Sequence, residues 1–332
     1  MPDFDVFNGD ADGICALHQL RLCEPRAATL ITGVKRDIAL LNRVDAGEGD
    51  RVTVLDVSLK TNRDALVRLL DAGARVEYFD HHQAGEIPAH QNLRAHIDMH
   101  AEVCTSLLVS RHLAGRHLIW AVVAAFGDNL ADVARREAVT LGLDAIALNA
   151  LQVLGEYLNY NGYGESPEDL FFHPAELYRE VHQHADPFTF IRETATFQTL
   201  GRGYAEDMGH ARAMQPAQAN EVGVVYLLPN AAWARRVSGV FGNELAVGAP
   251  DLAHAVLTQK DSGYLVSVRA PVSVRQGADI LCAQFETGGG RKGAAGINHL
   301  PESELPRFLK LFDETFRTQQ IPLSPFPEGG TV

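Results

Sequence analysis

Three short apolar runs, each ending in an acidic residue and followed by a helix-like pattern, constrain the fold of this chain most. They cover residues 5–7, 52–55 and 76–79. Strands that alternate with helices form parallel βαβ units, whose carboxyl ends all lie along one edge of the sheet. The sequence therefore predicts an α/β fold with a parallel amino-terminal sheet and polar side chains gathered at that edge.

Acidic and imidazole side chains stand directly after these runs. Several carboxylates within a few ångströms would repel one another and raise one another's pKa unless divalent cations neutralised them. Scattered, solvated aspartates are the alternative interpretation. The agreement of residue type with strand position favours a metal site. The residues expected to converge are Asp10, Asp12, Asp56, Asp80 and His81.

The order of these motifs resembles that of the DHH phosphoesterases with a carboxyl-terminal DHHA1 domain, a superfamily of RecJ-like and nanoRNase-like enzymes. Asp80-His81-His82 is similar to the motif that names the family, residues 8–13 to its first motif, Asp56 to its second and Asp128 to its fourth. Residues 288–296 are similar to the DHHA1 glycine signature, and residues 266–269 to its substrate-facing strand. The resemblance covers nearly the whole chain. It departs at Asn8 and Arg291, where the family usually has histidine.

The resemblance implies two divalent ions about 4 Å apart that act on a phosphoryl group. Mn²⁺ is expected, or else Mg²⁺, because carboxylate and imidazole ligands without thiolate suit these ions better than softer metals. One ion would be held by Asn8, Asp10 and Asp56, and the other by Asp12, Asp56, His81 and Asp128. His82 would contact the phosphate or assist the leaving group, and Asp80 would orient the imidazoles.

A second, smaller α/β domain of DHHA1 type would close over an active-site cleft, by the same resemblance. Its glycine run has five glycines in residues 288–296. The run lacks the context of a dinucleotide fingerprint and the Gly-Lys-Ser/Thr of a P-loop. A flexible turn and a phosphate-binding loop are the two interpretations, and Arg269 on a neighbouring predicted strand favours the loop. The predicted substrate-binding residues are Arg269, Gly288, Gly289, Gly290, Arg291 and Lys292.

A chain of 332 residues is long enough for two domains. We expect the catalytic DHH domain over residues 1–190, a linker over 191–220 and the DHHA1-like domain over 221–332. The linker assignment depends on a polar segment without strong periodicity. The tail from Gln320 contains three prolines and a Gly-Gly pair, which predicts a mobile segment.

Charge and cysteine content limit the partners and the compartment. The net charge of −13 argues against a general grip on long nucleic acid but permits a short nucleotide or oligonucleotide substrate. Cys15, Cys23, Cys104 and Cys282 form no zinc-ligand spacing and are expected to be free thiols. No signal segment is recognised, and the longest apolar run, residues 118–127, is too short to span a membrane. We therefore expect a cytoplasmic protein with no membrane partner; a homodimer stays open.

The leading functional prediction is a phosphodiesterase or phosphatase of small nucleotidic substrates. Short oligonucleotides, cyclic dinucleotides and bisphosphorylated adenosine nucleotides are the candidate substrates. Exonuclease activity is one of the candidate activities. A pyrophosphatase or polyphosphatase is the second hypothesis, and it would need a dense lysine and arginine pocket. A nucleotide-binding protein with a decayed site is the third. The near-complete set of acidic residues argues against decay.

Overall fold

The computed structural model describes residues 1–317, and the chain divides into two compact units, Met1–Ala205 and a second unit from Glu206 onward. The division falls within a single helix, Ala195–Ala213. This helix occupies most of the segment that the sequence predicts as the linker. Residues 195–213 are therefore helical, although their sequence shows no strong hydrophobic periodicity. The predicted mobile tail from Gln320 lies outside the described residues.

A parallel sheet forms the centre of the first unit. Its strand order is β2-β1-β3-β4-β5, and every neighbouring pair is parallel. The strands are β1 (Asp3–Phe7), β2 (Thr29–Ile31), β3 (Arg51–Leu55), β4 (Arg75–Asp80) and β5 (Leu93–Ile97). This arrangement confirms the predicted parallel amino-terminal sheet and places the carboxyl ends of all five strands along one edge.

Helices connect the strands and continue after the last one. They are α1 (Ala11–Cys23), α2 (Leu59–Asp71), α3 (Thr105–His112), α4 (Leu118–Gly127), α5 (Ala131–Ala138), α6 (Ala145–Asn161), α7 (Pro174–His182), α8 (Pro187–Glu193) and α9 (Ala195–Ala213). Helix α1 begins with Asp10 as its N-cap, whose side chain accepts hydrogen bonds from the backbone N–H groups of Asp12 and Gly13. The first predicted metal motif is therefore also the start of a helix.

Apolar residues cover both faces of the sheet. Phe7, Leu55 and Phe79 contribute to one hydrophobic core, together with residues of α1, α3, α4 and α6. The residues before them along each strand contribute to the opposite core, which α2 covers, because neighbouring side chains of a strand point to opposite faces. Burial on both faces explains why each strand ends in two consecutive apolar residues: Val6-Phe7, Val54-Leu55 and Tyr78-Phe79.

Two glycines allow α4 and α6 to approach closely. A Cβ atom built on Gly155 would collide with the carbonyl oxygen of Val123, and one on Gly127 would lie 2.8 Å from the carbonyl oxygen of Gly155. Both approaches are far closer than a normal carbon contact, so larger residues would force these helices apart. The close packing fixes the end of α4, from which Asp128 extends.

The second unit contains a mixed six-stranded sheet with the order β10-β11-β9-β8-β7-β6, in which β7 and β8 are parallel and the other pairs are antiparallel. Its strands are β6 (Gln218–Ala219), β7 (Gly223–Leu228), β8 (Ala253–Lys260), β9 (Gly263–Arg269), β10 (Gly288–Arg291) and β11 (Ala294–Pro301). Its helices are α10 (Ala232–Gly248), α11 (Ala278–Cys282) and α12 (Leu305–Arg317). The predicted second α/β domain is confirmed.

The glycine run lies in paired strands, so its prediction as a loop was wrong. Gly288 to Arg291 pair with Ile297 to Ala294 in an antiparallel hairpin. A Cβ on Gly288 would collide with the carbonyl oxygen of Cys282, and Gly290 has a φ of 145°. These two glycines therefore have packing and backbone reasons that are independent of any phosphate.

None of the helices within residues 1–317 combines the length and the apolar character needed to cross a membrane.

Candidate active site

The carboxyl edge of the first sheet collects the acidic and imidazole side chains that follow β1, β3 and β4. The His81 Nε2 atom lies 3.4 Å from Asp56 Oδ1 and 3.8 Å from Asp128 Oδ2. Asp56 follows β3 directly and has a positive φ of 58°, a conformation that is unfavourable for a residue with a side chain. The structure thus brings residues from three distant segments into one cluster, as expected from parallel strands.

Two overlapping groups of side chains have the geometry to hold a cation. One consists of Asp12, His81 and Asp128, and the other of Asp56, His81 and His82; in each, one ligand atom per residue lies within 4.8 Å of the others. His81 Nδ1 lies 2.8 Å from the carbonyl oxygen of Val103, so Nδ1 carries a proton and Nε2 is the atom that faces the carboxylates and could bind an ion. Because one imidazole nitrogen binds one ion, the two groups compete for His81.

Asp12 is held by the start of α3. Its two carboxylate oxygens accept hydrogen bonds of 2.7 Å each from the backbone N–H groups of Thr105 and Ser106. Burial, together with the charge of Asp56, nevertheless raises the pKa of Asp12 to about 7. The interaction connects residues 93 positions apart in the chain, so the placement of α3 orients this carboxylate.

Asp56 belongs to the second group, and its Oδ1 lies 3.4 Å from the Nε2 atom of His81, which both groups share. It accepts a hydrogen bond of 3.1 Å from Thr105 Oγ1. Burial and the nearby charge of Asp10 raise the pKa of Asp56 to about 6. Burial disfavours the charged form of His81, but the hydrogen bond and charge of Asp56 outweigh it and raise the pKa of His81 to about 10. Excess negative charge at this edge is therefore the main electrostatic property of the site.

Asp80 forms a hydrogen-bonded pair with His82, a member of the second group. His82 Nδ1 lies 2.7 Å from Asp80 Oδ1, and the other oxygen of the fully buried Asp80 accepts from the backbone N–H of Leu59 at 3.3 Å. Burial lowers the pKa of His82, but the hydrogen bond with Asp80 outweighs it and the net shift is upward. Asp80 thus orients one imidazole, whereas the prediction had it orient both; His81 is oriented by the Val103 carbonyl.

Lys35 is a member of the cluster that the sequence analysis missed. Its Nζ atom lies 2.5 Å from Asp10 Oδ2, 3.1 Å from Asn159 Oδ1 and 3.6 Å from Asp128 Oδ1. Burial alone would raise the pKa of Asp10, but the charge of Lys35 outweighs burial and lowers it. A signal was available, because Lys35 follows β2 and therefore stands at the same edge of the sheet as the acidic residues.

Asp10 and Asn8 differ in how many of their side-chain oxygens accept hydrogen bonds. One oxygen of Asp10 caps α1 through the N–H groups of Asp12 and Gly13, and the other accepts from Lys35. Asn8 is buried, and its Nδ2 donates to the carbonyl oxygen of Lys35 at 3.4 Å. The Oδ1 atom of Asn8 has no hydrogen-bond partner within residues 1–317. A buried amide oxygen without a partner is available to a ligand.

The predicted substrate-binding residues lie together at one end of the second sheet. Ala294 of β11 pairs with Arg269 on one side and with Arg291 on the other. The guanidinium group of Arg269 donates to Asn243 Oδ1 at 2.7 Å and to the carbonyl oxygen of Gly239 at 3.2 Å, so it lies against α10. Substrate binding by Arg269, by Arg291 and its neighbour Lys292, and by Gly288, Gly289 and Gly290 stays a prediction.

Comparison with known proteins gives similarity in fold. No family model matches the sequence, and no curated protein matches it. Among solved structures, the DHH domain of a member of a ribosomal protein family superposes with a TM-score of 0.62 at 13% identity, over 96% of this chain and 87% of that one. RecJ from Thermus thermophilus in complex with Mn²⁺ gives 0.58 at 18% identity, over 97% of this chain and 52% of RecJ.

A pGpG-specific phosphodiesterase, PggH from Vibrio cholerae, gives a TM-score of 0.56 at 13% identity, over 96% of this chain and 99% of that one. RecJ from Thermus thermophilus has also been determined with Mg²⁺. At these identities the comparison establishes the fold. The chain has the two-unit α/β fold of DHH-domain proteins, which confirms the resemblance predicted from its motifs at that level.

Proposed function

We propose that this protein is a metal-dependent phosphoesterase that hydrolyses small nucleotidic substrates: short oligonucleotides, cyclic dinucleotides or bisphosphorylated adenosine nucleotides. The observation that carries the proposal is the convergence of the Asp12, Asp56, His81 and Asp128 ligand atoms beside the Asp80–His82 pair. The carboxylates and His81 can hold a cation against a phosphoryl group, and the Asp80–His82 pair can hold and transfer a proton.

The residues present fit a hard divalent ion. Asp12, His81 and Asp128 offer two carboxylates and one imidazole nitrogen whose tautomer is fixed by Val103, and Asp56 stands beside them. Oxygen and imidazole ligands without thiolate suit Mn²⁺ or Mg²⁺. When bound, such an ion polarises the phosphoryl oxygens and lowers the pKa of a water ligand.

The set predicted to hold a second ion, Asn8, Asp10 and Asp56, fits less well. One oxygen of Asp10 faces the Lys35 ammonium at 2.5 Å, whereas the oxygens of Asp12 accept from uncharged backbone N–H groups. A cation bound there would have to displace Lys35 against charge repulsion. In place of the predicted pair of ions, we propose one divalent ion per chain, with the Lys35 ammonium supplying the second positive charge beside the phosphoryl group.

His82 has the properties of a proton donor to the leaving oxygen. Its Nδ1 is engaged by Asp80, and its side chain is 43% exposed, so Nε2 can reach a substrate. A hydrogen-bonded carboxylate favours the protonated imidazole. Asp80 is a positioning residue, because it acts through His82.

Solved structures of similar fold support this class of reaction by what they are named for. They include RecJ in complex with Mn²⁺, the pGpG-specific phosphodiesterase PggH and an exopolyphosphatase-related protein from Bacteroides fragilis. The net charge of −13 favours a short substrate over a long polyanion. We also propose a cytoplasmic location, where the four free cysteines would stay reduced.

A screen of the purified full chain with Mn²⁺ tests the proposal. The substrates are dinucleotides, cyclic dinucleotides, bisphosphorylated adenosine and polyphosphate. Asp56→Asn should lower turnover of the preferred substrate about 10³-fold or more, because Asp56 is a member of one cation group and lies 3.4 Å from His81, which both groups share. Asp132→Asn is the matched control, since Asp132 is fully exposed on α5. Near-native turnover by Asp56→Asn, or hydrolysis that persists in EDTA, would contradict the proposal.

A further inference from the structure

A basic cavity lies at the end of the first sheet opposite to the candidate active site. It has a volume of about 410 Å³, and its wall includes Arg26, Arg51, Arg75 and Arg94. Arg51 and Arg75 are the first residues of β3 and β4, whereas Asp56 and Asp80 stand at the far ends of the same strands. Five residues of strand correspond to about 16 Å. The cavity is therefore separate from the carboxylate cluster.

The arginines of this cavity carry positive charge that the protein only partly neutralises. Arg51 and Arg75 stand directly opposite each other in the register of β3 and β4, where like charges are destabilising. Arg51 pairs with Asp3 at 2.7 Å, and Arg26 pairs with Glu24 at 2.8 Å.

Arg75 and Arg94 differ from the other two arginines. Within residues 1–317 neither guanidinium group has a hydrogen-bond or ion-pair partner; the salt bridges of this region belong to Arg26 and Arg51. Glu77, which also lines the cavity, pairs with His96 at 3.3 Å. Arg75 and Arg94 are exposed, and both line this cavity, so they give its wall two positive charges that pair with no carboxylate of residues 1–317.

The chemistry of the wall specifies the kind of anion. A guanidinium group binds phosphate oxygens through two parallel N–H donors, and Asn92 and Gln91 add amide groups to the wall. No aromatic ring contributes to the wall as the described residues form it, so nothing there would stack on a nucleobase. The volume lies within the usual range for small-molecule sites.

We propose that this cavity binds a phosphorylated small molecule through Arg75 and Arg94, at a second site distinct from the carboxylate cluster. The ligand is recognised by its phosphoryl groups and not by a base. The site is formed within the first unit from β3, β4 and β5, and it needs no metal ion. It is independent of whether the carboxylate cluster hydrolyses phosphoric esters.

Calorimetric titration of the full chain with pyrophosphate, in EDTA and at physiological salt, tests this proposal. We expect saturable binding of one pyrophosphate per chain. The double variant Arg75→Gln/Arg94→Gln should weaken it tenfold or more, because it removes both charge-assisted donors. The control Arg179→Gln/Arg202→Gln removes two exposed arginines of α7 and α9 and should leave binding unchanged.

Asp56→Asn separates this site from the candidate active site and should also leave pyrophosphate binding unchanged. The proposal is overturned if the native chain shows no saturable binding at millimolar pyrophosphate. It is equally overturned if Asp56→Asn abolishes binding, or if the Arg179/Arg202 control weakens it as much as the Arg75/Arg94 variant. The result does not depend on turnover, so failure of the proposed hydrolysis is distinguishable from failure of this site.

Discussion

Replacing Lys35 with methionine is the sharpest test of how this site is charged. Methionine keeps an unbranched side chain of similar length and removes the ammonium group that lies 2.5 Å from Asp10 and 3.6 Å from Asp128. If Lys35 supplies the second positive charge, the native chain should bind one Mn²⁺, and Lys35→Met should bind two. The variant frees an oxygen of Asp10 for a second ion.

The size of the effect on the first ion follows from the Lys35–Asp128 distance. Two unit charges 3.6 Å apart interact by about 1 kcal/mol in water and about 5 kcal/mol at an effective dielectric constant of 20. The Lys35 side chain is 25% exposed, so solvent screening favours the lower part of this range. Release of Asp128 from this competition should tighten binding of the first Mn²⁺ about tenfold.

Titration of the metal-free protein with Mn²⁺ in a calorimeter gives both stoichiometry and affinity without requiring turnover. Lys60→Met is the matched control, because Lys60 is exposed on α2, and its isotherm should equal that of the native chain. Turnover by Lys35→Met should fall if the ammonium contacts the phosphoryl group. Two ions per native chain, or identical isotherms for native and Lys35→Met, would refute the role assigned to Lys35.

Two further predictions concern histidines. His82→Asn should lower turnover about 10²- to 10⁴-fold and leave Mn²⁺ stoichiometry unchanged, and it should remove the alkaline limb of the pH–rate profile; an unchanged profile would exclude His82 as proton donor. Burial of His18, reinforced by His182, depresses the pKa of His18 to about 3, so below pH 6.5 the unfolded chain takes up a proton that the native chain cannot. As the pH falls through this window, the free energy of unfolding should fall by up to about 1.4 kcal/mol per pH unit. Chemical denaturation at several pH values should show that this free energy depends less steeply on pH in His18→Gln than in the native chain. Equal slopes would mean that His18 does not titrate on unfolding.

The sequence determined the alternation of strands and helices and the edge of the sheet at which polar residues gather. Burial on both faces near the carboxyl ends of β3 and β4 requires consecutive apolar residues there, and Val54-Leu55 and Tyr78-Phe79 are visible without a structure. Asp56 and Asp80 stand where these runs end, so their approach follows from the parallel topology alone. The motif order then indicated the DHH-type fold.

Tertiary structure decided which partner each functional group has. The sequence does not indicate that Thr105 and Ser106 orient Asp12, because that contact depends on where α3 packs, 93 residues along the chain. Lys35 and Asn159 are 124 residues apart and meet only because the end of α6 returns to the carboxyl edge of the sheet.

The glycine run is a further case in which contacts between elements, and not the local sequence, decide the conformation. A run rich in glycine predicts a flexible loop when only local conformational freedom is considered. In the structure Gly288 and Gly290 lie in a hairpin. Glycine is needed at these two positions because neighbouring backbone and Ala295 leave no room for a side chain. The local sequence indicates which residues of a helix or strand are buried. Hydrogen-bond partners, free ligand atoms and close backbone approaches depend on contacts between elements, and those are fixed only when the chain is packed.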